Sequence, residues 1–546
     1  MIKSCMRIFK VLMKMDNGLV DYLLKSRYCH PGETGWDDIC RRVAGALSGD
    51  ESERADFHHV MQEKLFIPNS PTLMNAGTGV GQLSACFVLP IDDPDGIDKI
   101  VAAVMNIHQS GGGTGFSFGK LKPSYSPEKT TYNVLSVMNI IDRGTEISKR
   151  KGRRRGANIA VLPVWHPEIT EFINCKRKDG VLSNFNISVA VTDDFLERVV
   201  SEEEQEYKLA YDRYGEGKPV DPKVLSREIC DNMWRNGEPG ILFIDRVNQD
   251  SPYDIPIEST NPCGEQPLPP YGICNLGSID VSKFYDKKMN EFDYEEFRRV
   301  IGIAVTLLDN VIDRNRYILP EIEEFSRAYR PIGLGLMGFA DLCIMYGFRY
   351  GDDDSVKLAE QLAMALINTA REVSKERAGE YGGYRLSPDY RNATLTSYAP
   401  TGTISLIAGC SAGIEPNFAF EYNRRIWGDG EEIEFRRVHP LWEEYVRLHG
   451  DQCLPDYFVT AMEILPEKHI DIQAAFQEYC DSGISKTINI PFGYDRRRME
   501  DLVIYAWRKG CKGFTIYRAG SRAQVMDSVE GRMSDDDKRT VFCYCR

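Results

Sequence analysis

A short segment near the middle of the chain places three reactive side chains at alternate positions. They are Asn261, Cys263 and Glu265, with Pro262 and Gly264 between them. In an extended segment, side chains two residues apart point the same way, so we expect the amide, the thiol and the carboxylate to face one cavity. The intervening proline and glycine favour a tight loop over a regular strand or helix.

Two further thiols can be grouped with this segment. Cys274 follows it after a proline-rich bend, and Cys86 lies near the start of a short apolar strand candidate. An isolated cysteine is more often a buried, inert residue than a reactive one. The alternation of three reactive groups on a loop reverses that expectation for Cys263, because loops on a rigid scaffold are where chemistry is usually placed.

The composition narrows the class of protein. The 546 residues can form one large catalytic domain with a smaller helical domain. The net charge of -14 argues against general nucleic-acid binding, and there is no apolar run long enough to span a membrane. Fifteen cysteines without regular spacing indicate reduced thiols and a cytoplasmic location. Since no Cys-x-x-Cys or His-Glu-x-x-His motif is present, we predict no protein-bound metal.

Hydrophobic periodicity gives a coarse arrangement of elements. Helical spacing of apolar residues predicts helices over 36–47, 55–65 and 301–312, and the charged stretch 201–230 is interpreted as a surface helix. Short apolar runs predict strands within 81–90, 159–164, 241–244 and 510–518.

Three segments are candidates for close contact with a ligand. The glycines of 108–118 permit close approach of a ligand or a second backbone. The basic run 149–158 is either a solvated face or a structured loop facing nucleotide phosphates. Hydroxyls and free amides in 398–405 suit an anion site. Beyond Gln524 the chain is polar and charged, which predicts a disordered tail.

Taken together and in order, several segments resemble ribonucleotide reductases, most closely the large chain of the adenosylcobalamin-dependent class. The segments are 69–77, 82–90, 108–118, 152–158, 261–278, 399–409 and 510–522. The resemblance implies a ten-stranded α/β barrel made of two antiparallel five-stranded halves, with Cys263 at the tip of a finger loop inside it. We expect an N-terminal helical domain over 1–66, the barrel over 67–523 and a flexible tail over 524–546.

The resemblance also implies a reaction, the reduction of ribonucleotides to 2′-deoxyribonucleotides for DNA synthesis. A radical supplied by adenosylcobalamin would oxidise Cys263 to a thiyl radical, which takes the 3′-hydrogen of the substrate. Glu265 would act as general base on the 3′-hydroxyl, and Asn261 would hold the sugar. Cys86 and Cys274 would supply the proton and two electrons and end as a disulfide.

Binding residues follow from the same resemblance. Those assigned to the nucleotide pocket are Thr72, Ala85, Gly113, Pro400, Thr401, Gly402, Thr403 and Ile404. Those assigned to an effector deoxynucleotide are Asp93, Arg153, Arg154, Arg155 and Asn158, with Asp92 and Asp95 as alternatives to Asp93. The tail thiols Cys543 and Cys545 would exchange electrons with a thioredoxin-like or glutaredoxin-like protein. The resemblance is also compatible with a homodimer.

One feature favours the adenosylcobalamin-dependent class: the last predicted strand carries one tyrosine, Tyr517, where the oxygen-dependent class has a pair. One departure from the family pattern is that residues 119–138 are shorter than usual for the family and altered. Two alternatives stay open. They are an oxygen-dependent large subunit that needs a radical-generating partner, and a silent homologue that binds nucleotides without turnover, which the altered region would support.

Overall fold

The computed structural model describes most of the chain. The described residues are 12–14, 17–91, 96–122, 133–148, 156–178, 180–211, 213, 215–428, 431–450, 454–521 and 526–528. None of the helices that these residues form is both long enough and apolar enough to cross a lipid bilayer.

Helices make up much of the described chain. In chain order the α-helices are α1 (Asn17–Leu23), α2 (Trp36–Leu47), α3 (Glu51–Gln62), α4 (Ser70–Asn75), α5 (Ile97–Gln109), α6 (Val134–Ser148), α7 (Ile169–Asn174), α8 (Asp193–Val200), α9 (Pro222–Asn236), α10 (Ile244–Gln249), α11 (Tyr294–Arg314), α12 (Pro320–Tyr329), α13 (Phe339–Tyr346), α14 (Asp353–Tyr381), α15 (Ile404–Ala408), α16 (Pro440–His449), α17 (Pro466–Gln477) and α18 (Met499–Arg508). A π-helix occupies Leu24–Tyr28, and short 3-10 helices occupy Val281–Phe284, Ala461–Glu463 and Arg496–Arg498.

The strands are mostly short. In chain order they are β1 (Leu12–Lys14), β2 (Phe66–Pro68), β3 (Cys86–Pro90), β4 (Gly113–Ser117), β5 (Asn158–Pro163), β6 (Phe185–Val191), β7 (Tyr207–Leu209), β8 (Lys218–Val220), β9 (Gly240–Phe243), β10 (Ser259–Thr260), β11 (Pro267–Leu268), β12 (Ile273–Asp280), β13 (Tyr285–Asp286), β14 (Glu291–Phe292), β15 (Ile332–Met337), β16 (Glu421–Gly428), β17 (Glu431–Val438), β18 (Thr487–Ile490), β19 (Gly513–Arg518) and β20 (Met526–Ser528).

The N-terminal helices form as their apolar spacing predicts. Helix α2 has the predicted bounds, and its residues Ile39, Val43 and Leu47 are buried at intervals of four along one face. Helix α3 begins earlier than predicted, because Asp50 caps it by accepting a hydrogen bond from the Glu53 N–H at 2.8 Å. Both helices pack against α11, which extends beyond the predicted 301–312 at both ends.

A ten-stranded sheet forms the core of the molecule. Its first half is β3, β4, β5, β6 and β9, each parallel to the next. Parallel strands of this kind are covered on both faces, which is why the predicted strands 159–164 and 241–244 are apolar throughout. Helices α5 and α6 provide two of the crossovers between these strands.

The second half runs in the opposite direction. Strands β12 and β15 are parallel to each other, as are β18 and β19, while β12 is antiparallel to β3 and β19 is antiparallel to β9. Residues 394–398 lie between the two pairs: the Ser397 N–H donates to the Leu334 carbonyl, and the Ser485 N–H donates to the Tyr398 carbonyl. The tenth strand of the sheet is β2, which is antiparallel to β12. The predicted arrangement of two halves that run in opposite directions is confirmed, with isolated bridges at residues 394–398 where a fifth strand of the second half is expected.

The prediction of a surface helix over 201–230 is wrong for its first part. Residues 207–209 and 218–220 pair instead as the antiparallel strands β7 and β8. In β7 the buried Tyr207 and Leu209 flank an exposed Lys208, which is the two-residue period of a strand. The abundant charges hid that period in the sequence. Helix α9 begins only at Pro222, after the cap residue Asp221.

A second, four-stranded sheet in the order β1–β17–β16–β20 lies outside the core sheet. Its centre is the antiparallel hairpin of β16 and β17, in which Tyr422 pairs with Arg437. The sequence did not predict this hairpin. Within the predicted flexible tail, Met526–Ser528 form β20 against β16.

Candidate active site

The segment carrying Asn261, Cys263 and Glu265 is the loop of a small hairpin. Strands β10 and β11 pair antiparallel, and residues 261–266 connect them. The Asn261 N–H donates to the Gln266 carbonyl at 3.1 Å, and the Gly264 N–H donates to the Asn261 carbonyl at 3.0 Å. Gly264 has a φ of 86°, which glycine adopts without strain. The tight loop that Pro262 and Gly264 predict is confirmed, and its backbone is a turn in which the side chains do not keep the alternation of an extended segment.

We call strands β10 and β11 with their connecting loop 261–266 the finger hairpin. Glycines of β4 let the finger hairpin approach the core sheet closely. A Cβ added at Gly115 would lie 1.7 Å from the Thr260 carbonyl oxygen. A Cβ added at Gly113 would lie 3.0 Å from Cγ of Pro262. The glycine-rich segment thus serves the close approach of a second backbone, one of the two uses that its sequence indicated.

Three polar contacts hold the loop in place. The Asn186 side-chain amide donates to the Pro262 carbonyl at 2.9 Å. The Ser397 hydroxyl and the Gly483 N–H each donate to the Glu265 carbonyl at 2.8 Å. Sequence reasoning missed these three residues, because an asparagine, a serine and a glycine far apart in the chain carry no recognisable spacing.

Cys86 and Cys274 lie directly opposite each other. Cys86 begins β3, and the antiparallel register pairs it with Cys274 of β12. Neither forms a disulfide, and both side chains are buried. Opposite residues of antiparallel strands have Cβ atoms about 4.5–5.5 Å apart on the same face of the sheet. A small strand movement brings such a pair within the Cβ–Cβ range of a disulfide.

The finger loop reaches this thiol pair from above the sheet. The Asn261 side-chain amide donates to Sγ of Cys86 at 3.1 Å, and Oε1 of Glu265 lies 4.0 Å from the same sulfur. Burial, together with the negative charge of Glu265, raises the pKa of the Cys274 thiol well above its ordinary value. Cys274 is therefore held as a neutral thiol, which can donate a proton or hydrogen atom.

Cys263 differs from the pair in its exposure. It lies at the tip of the loop and is exposed, whereas Asn261 and Glu265 on either side of it are buried. The site therefore combines an accessible thiol with a buried dithiol, an amide and a carboxylate. This set can take a hydrogen atom, move protons and supply two electrons.

A cavity of about 160 Å³ opens beside the 400–404 segment. Pro400 and Gly402 line it, together with Tyr517. Thr401 has a φ of 52°, and its hydroxyl accepts a hydrogen bond from the Gly413 N–H at 2.7 Å. Ile404 is buried in the hydrophobic core, so only its backbone can serve a ligand.

Comparison with known protein families matches two family models. The barrel domain of ribonucleotide reductase matches residues 84–390 and 386–517, and the all-alpha domain of ribonucleotide reductase matches residues 19–81. The chain belongs to the ribonucleotide reductase family. Members of this family replace the 2′-hydroxyl of a ribonucleotide with hydrogen.

Curated relatives carry more specific names. A vitamin B12-dependent ribonucleoside-diphosphate reductase of Thermoplasma acidophilum is 40% identical over 89% of this chain and 68% of its own length. One of Mycobacterium tuberculosis with the same name is 37% identical over 93% of this chain and 79% of its own. A ribonucleoside-diphosphate reductase large chain of Cryptosporidium parvum is 25% identical over 88% of this chain and 71% of its own.

Two of the predicted pocket residues of this ribonucleotide reductase lie next to the finger hairpin. The Ala85 carbonyl accepts a hydrogen bond from the Gly113 N–H at 2.8 Å, next to Pro262. Thr72 is wholly buried and its hydroxyl donates to the Leu83 carbonyl at 2.9 Å. The contact of Thr72 with a nucleotide therefore stays a prediction.

Of the residues assigned to an effector, the structure describes one. Asn158 is wholly buried: its amide donates to Oγ1 of Thr145 at 2.9 Å, and its oxygen accepts from the Thr114 hydroxyl at 2.7 Å. These bonds fix the C-terminal end of the basic run to the sheet. The others assigned to regulation or to the tail lie outside the described residues; they are Asp93, its alternatives Asp92 and Asp95, Arg153, Arg154, Arg155, Cys543 and Cys545.

Among the residues that the structure describes, no group of three or more histidine, cysteine, aspartate or glutamate side chains is arranged to hold a metal ion.

Proposed function

We propose that this protein is an adenosylcobalamin-dependent ribonucleotide reductase that makes deoxyribonucleotides for DNA synthesis through a thiyl radical at Cys263. The observation that carries the proposal is the pairing of Cys86 with Cys274 across two strands, with Asn261 and Glu265 reaching Cys86 from the finger loop. The relatives named as vitamin B12-dependent reductases support the choice of cofactor.

The position of Cys263 fits such a cofactor. A bulky cofactor cannot enter the core of the sheet, and Cys263 is exposed at the loop tip while the other two thiols are buried. When bound, adenosylcobalamin supplies the radical that removes the hydrogen atom of the Cys263 thiol. Its cobalt is held within the cofactor, so the site needs no metal ligands from the protein.

The residues of the finger loop act on the sugar. The Cys263 sulfur takes the 3′-hydrogen and returns it at the end of the cycle. Glu265 accepts the proton of the 3′-hydroxyl while water leaves from C2′. Its backbone carbonyl accepts hydrogen bonds from the Ser397 hydroxyl and the Gly483 N–H, which fix the position of the residue that carries this carboxylate. The Asn261 amide orients the sugar hydroxyl and the Cys86 sulfur together.

The dithiol supplies the reducing equivalents. Two thiols become one disulfide and release two electrons and two protons, which balances the loss of the 2′-hydroxyl as water and its replacement by hydrogen. Cys86 and Cys274 lie close enough for this step with little movement of β3 and β12. Each turnover then requires reduction of the disulfide by an outside dithiol.

Further parts of the proposal concern partners and organisation. The substrate pocket comprises Thr72, Ala85, Gly113 and the Pro400–Ile404 loop. The predicted effector contacts, the exchange of electrons through the tail thiols with a thioredoxin-like or glutaredoxin-like protein, and a homodimer are proposed with it. So are the cytoplasmic location and the domain bounds at residues 66 and 523.

The test is turnover by the full chain under anaerobic conditions. Ribonucleotide, a dithiol reductant and adenosylcobalamin are expected to give deoxyribonucleotide, and omission of the cofactor to give none. Cys263→Ala is expected to abolish product, and the matched variant Cys343→Ala, which alters a buried thiol of α13, is expected to retain it. After one turnover without reductant, a digest should contain Cys86 linked to Cys274 and free Cys343.

Other outcomes select the alternatives. Activity that appears only with an added metal-bearing radical partner would identify an oxygen-dependent large subunit. Nucleotide binding without turnover under every radical source would identify a silent homologue. Full activity of Cys263→Ala would remove Cys263 from its proposed role.

A further inference from the structure

Two arginines line the cavity beside the 400–404 loop. Arg424 and Arg437 belong to the β16–β17 hairpin, and both line the cavity of about 160 Å³ together with Pro400 and Gly402. The loop from Pro400 to Ile404 has no charged residue, so it offers a phosphate only neutral donors. The hairpin therefore places two guanidinium groups beside a candidate phosphate loop that has none.

The register of the hairpin explains why these two side chains share a face. Arg437 pairs with Tyr422 and Arg424 pairs with Phe435, so all four side chains lie on one face of the hairpin. Arg436, the residue between Phe435 and Arg437, lies on the other face. It is exposed and donates to Glu421 at 2.6 Å.

Phe435 fixes which face of the hairpin meets the protein. Its side chain is wholly buried in a small apolar cluster with Leu19, Leu23 and Leu406. Leu406 lies on α15, directly after the Pro400–Ile404 loop. Because the hairpin is anchored to the helix that follows the loop, its arginines keep a fixed position relative to that loop.

The charges around the cavity favour an anion. Glu415 is the one carboxylate among the described residues that line it. Its oxygens accept hydrogen bonds from the buried Lys486 ammonium and from the Thr487 N–H, each at 2.6 Å. Since the glutamate is already neutralised by the lysine, the two guanidinium groups give the cavity a net positive charge in a protein of net charge -14.

We propose that Arg424 and Arg437 bind the phosphates of the ribonucleotide substrate, so that the β16–β17 hairpin supplies the charged half of the phosphate site. This inference rests on the proposed function and adds to it two residues that determine the substrate class. The planar fork of an arginine matches two phosphate oxygens at once. Two such forks favour a nucleoside diphosphate over a monophosphate.

The test measures binding of cytidine diphosphate to the full chain without cofactor or reductant, by calorimetry. Arg437→Gln and Arg424→Gln are each expected to raise Kd by about tenfold or more, because each removes a charge-assisted hydrogen bond. The preference for cytidine diphosphate over cytidine monophosphate should fall in both variants. Arg437→Lys, which keeps the charge and loses the fork, should lose less affinity than Arg437→Gln.

Arg436→Gln is the matched control, since it removes the same charge from the opposite face of the same hairpin. Its Kd should equal that of the wild type, and thermal unfolding should show that all four variants are folded. Unchanged Kd values in Arg424→Gln and Arg437→Gln would overturn the inference. The inference would also be overturned if the two glutamine variants bound adenosylcobalamin more weakly but bound cytidine diphosphate as the wild type does. Binding of adenosylcobalamin is measured by the change in its absorption spectrum.

The binding test of the arginines and the turnover test of the proposed function can fail independently. A wild-type protein that binds cytidine diphosphate through these arginines but makes no product would contradict the proposed function alone. A wild-type protein that makes product while both glutamine variants bind as it does would contradict this inference alone.

Discussion

At the scale of single residues, the site depends on side chains with different degrees of burial. Cys263 is exposed, while Cys86, Cys274 and Glu265 are buried within hydrogen-bond or electrostatic reach of one another. Burial and the Glu265 charge keep Cys274 protonated, as a hydrogen donor must be. In the proposed mechanism the same carboxylate acts on the sugar and raises the pKa of the Cys274 thiol.

The first prediction concerns Glu265→Gln, which keeps the shape of the side chain and removes the base. We expect the yield of deoxyribonucleotide per unit time to fall by about 10²- to 10⁴-fold, the usual contribution of a general base. Single-turnover product formation measures it. The control is Glu258→Gln, which alters a carboxylate paired with Lys120 outside the loop and should leave the rate unchanged. A Glu265→Gln rate close to that of the wild type would contradict the role.

At the scale of elements, the finger hairpin can lie against the sheet because β4 has no side chains at the points of contact. Strand β4 carries glycine where any side chain would overlap the hairpin backbone, as the distance of 1.7 Å at Gly115 shows. Asn186, Ser397 and Gly483 then fix the loop by hydrogen bonds from three other parts of the sheet. The position of Cys263 is thus set by elements far apart in the sequence.

The second prediction follows for Gly115→Ala. The added methyl group must push the hairpin off β4, and a displacement of about 1 Å at reacting groups can cost about 10²-fold in rate. Turnover should fall by at least that factor while circular dichroism stays unchanged. Gly379→Ala, in α14 with open space around its Cα, should retain full activity. Equal activities of the two variants would show that the close approach is not needed.

At the scale of the whole molecule, a buried charge cluster joins distant elements. Asp309 of α11 is wholly buried and pairs with three arginines. Arg330 directly precedes β15, Arg377 lies on α14, and Arg391 follows α14 in the chain. Burial alone would raise the pKa of Asp309, but the three guanidinium charges lower it below its ordinary value. Next to Arg330, the Pro331 carbonyl contacts Sγ of Cys274 at 3.7 Å.

The third prediction is that Asp309→Asn lowers the free energy of unfolding by about 3–5 kcal/mol at pH 7, because it removes a buried carboxylate that pairs with three arginines. Arg377 loses its carboxylate partner, and Arg330 and Arg391 keep only Asp313. A carboxylate with a depressed folded-state pKa stabilises the protein above its unfolded pKa, and this contribution is lost as the pH falls through the folded pKa. The difference from wild type should therefore shrink below about pH 4.

Denaturant unfolding at pH 7 and at acid pH measures this difference. Asp495→Asn serves as the control, since Asp495 forms an exposed ion pair with Arg497 and should change stability little at either pH. A difference between Asp309→Asn and wild type that stays constant with pH would contradict the linkage.

Local patterns in the chain were enough for much of the fold. Helix α2 and the buried strands β5 and β9 follow from periodicity and apolar runs, because these depend on neighbouring residues only. The prediction of a helix over 201–230 was wrong in its first part because charged side chains obscured a two-residue alternation of buried and exposed residues. The hairpin of β16 and β17 was not predicted, because the burial of its residue Phe435 depends on the distant Leu19 and Leu23.

By itself, the sequence determined which residue types meet in the site: the amide, thiol and carboxylate of one loop, and two further cysteines. The tertiary structure alone decided how they meet. Cys263 is exposed while its loop neighbours Asn261 and Glu265 are buried. Cys86 faces Cys274 only through the antiparallel register of β3 and β12, and Arg437 joins the cavity only through the packing of Phe435. Register and packing are set by contacts between residues distant in the chain, which no local pattern records.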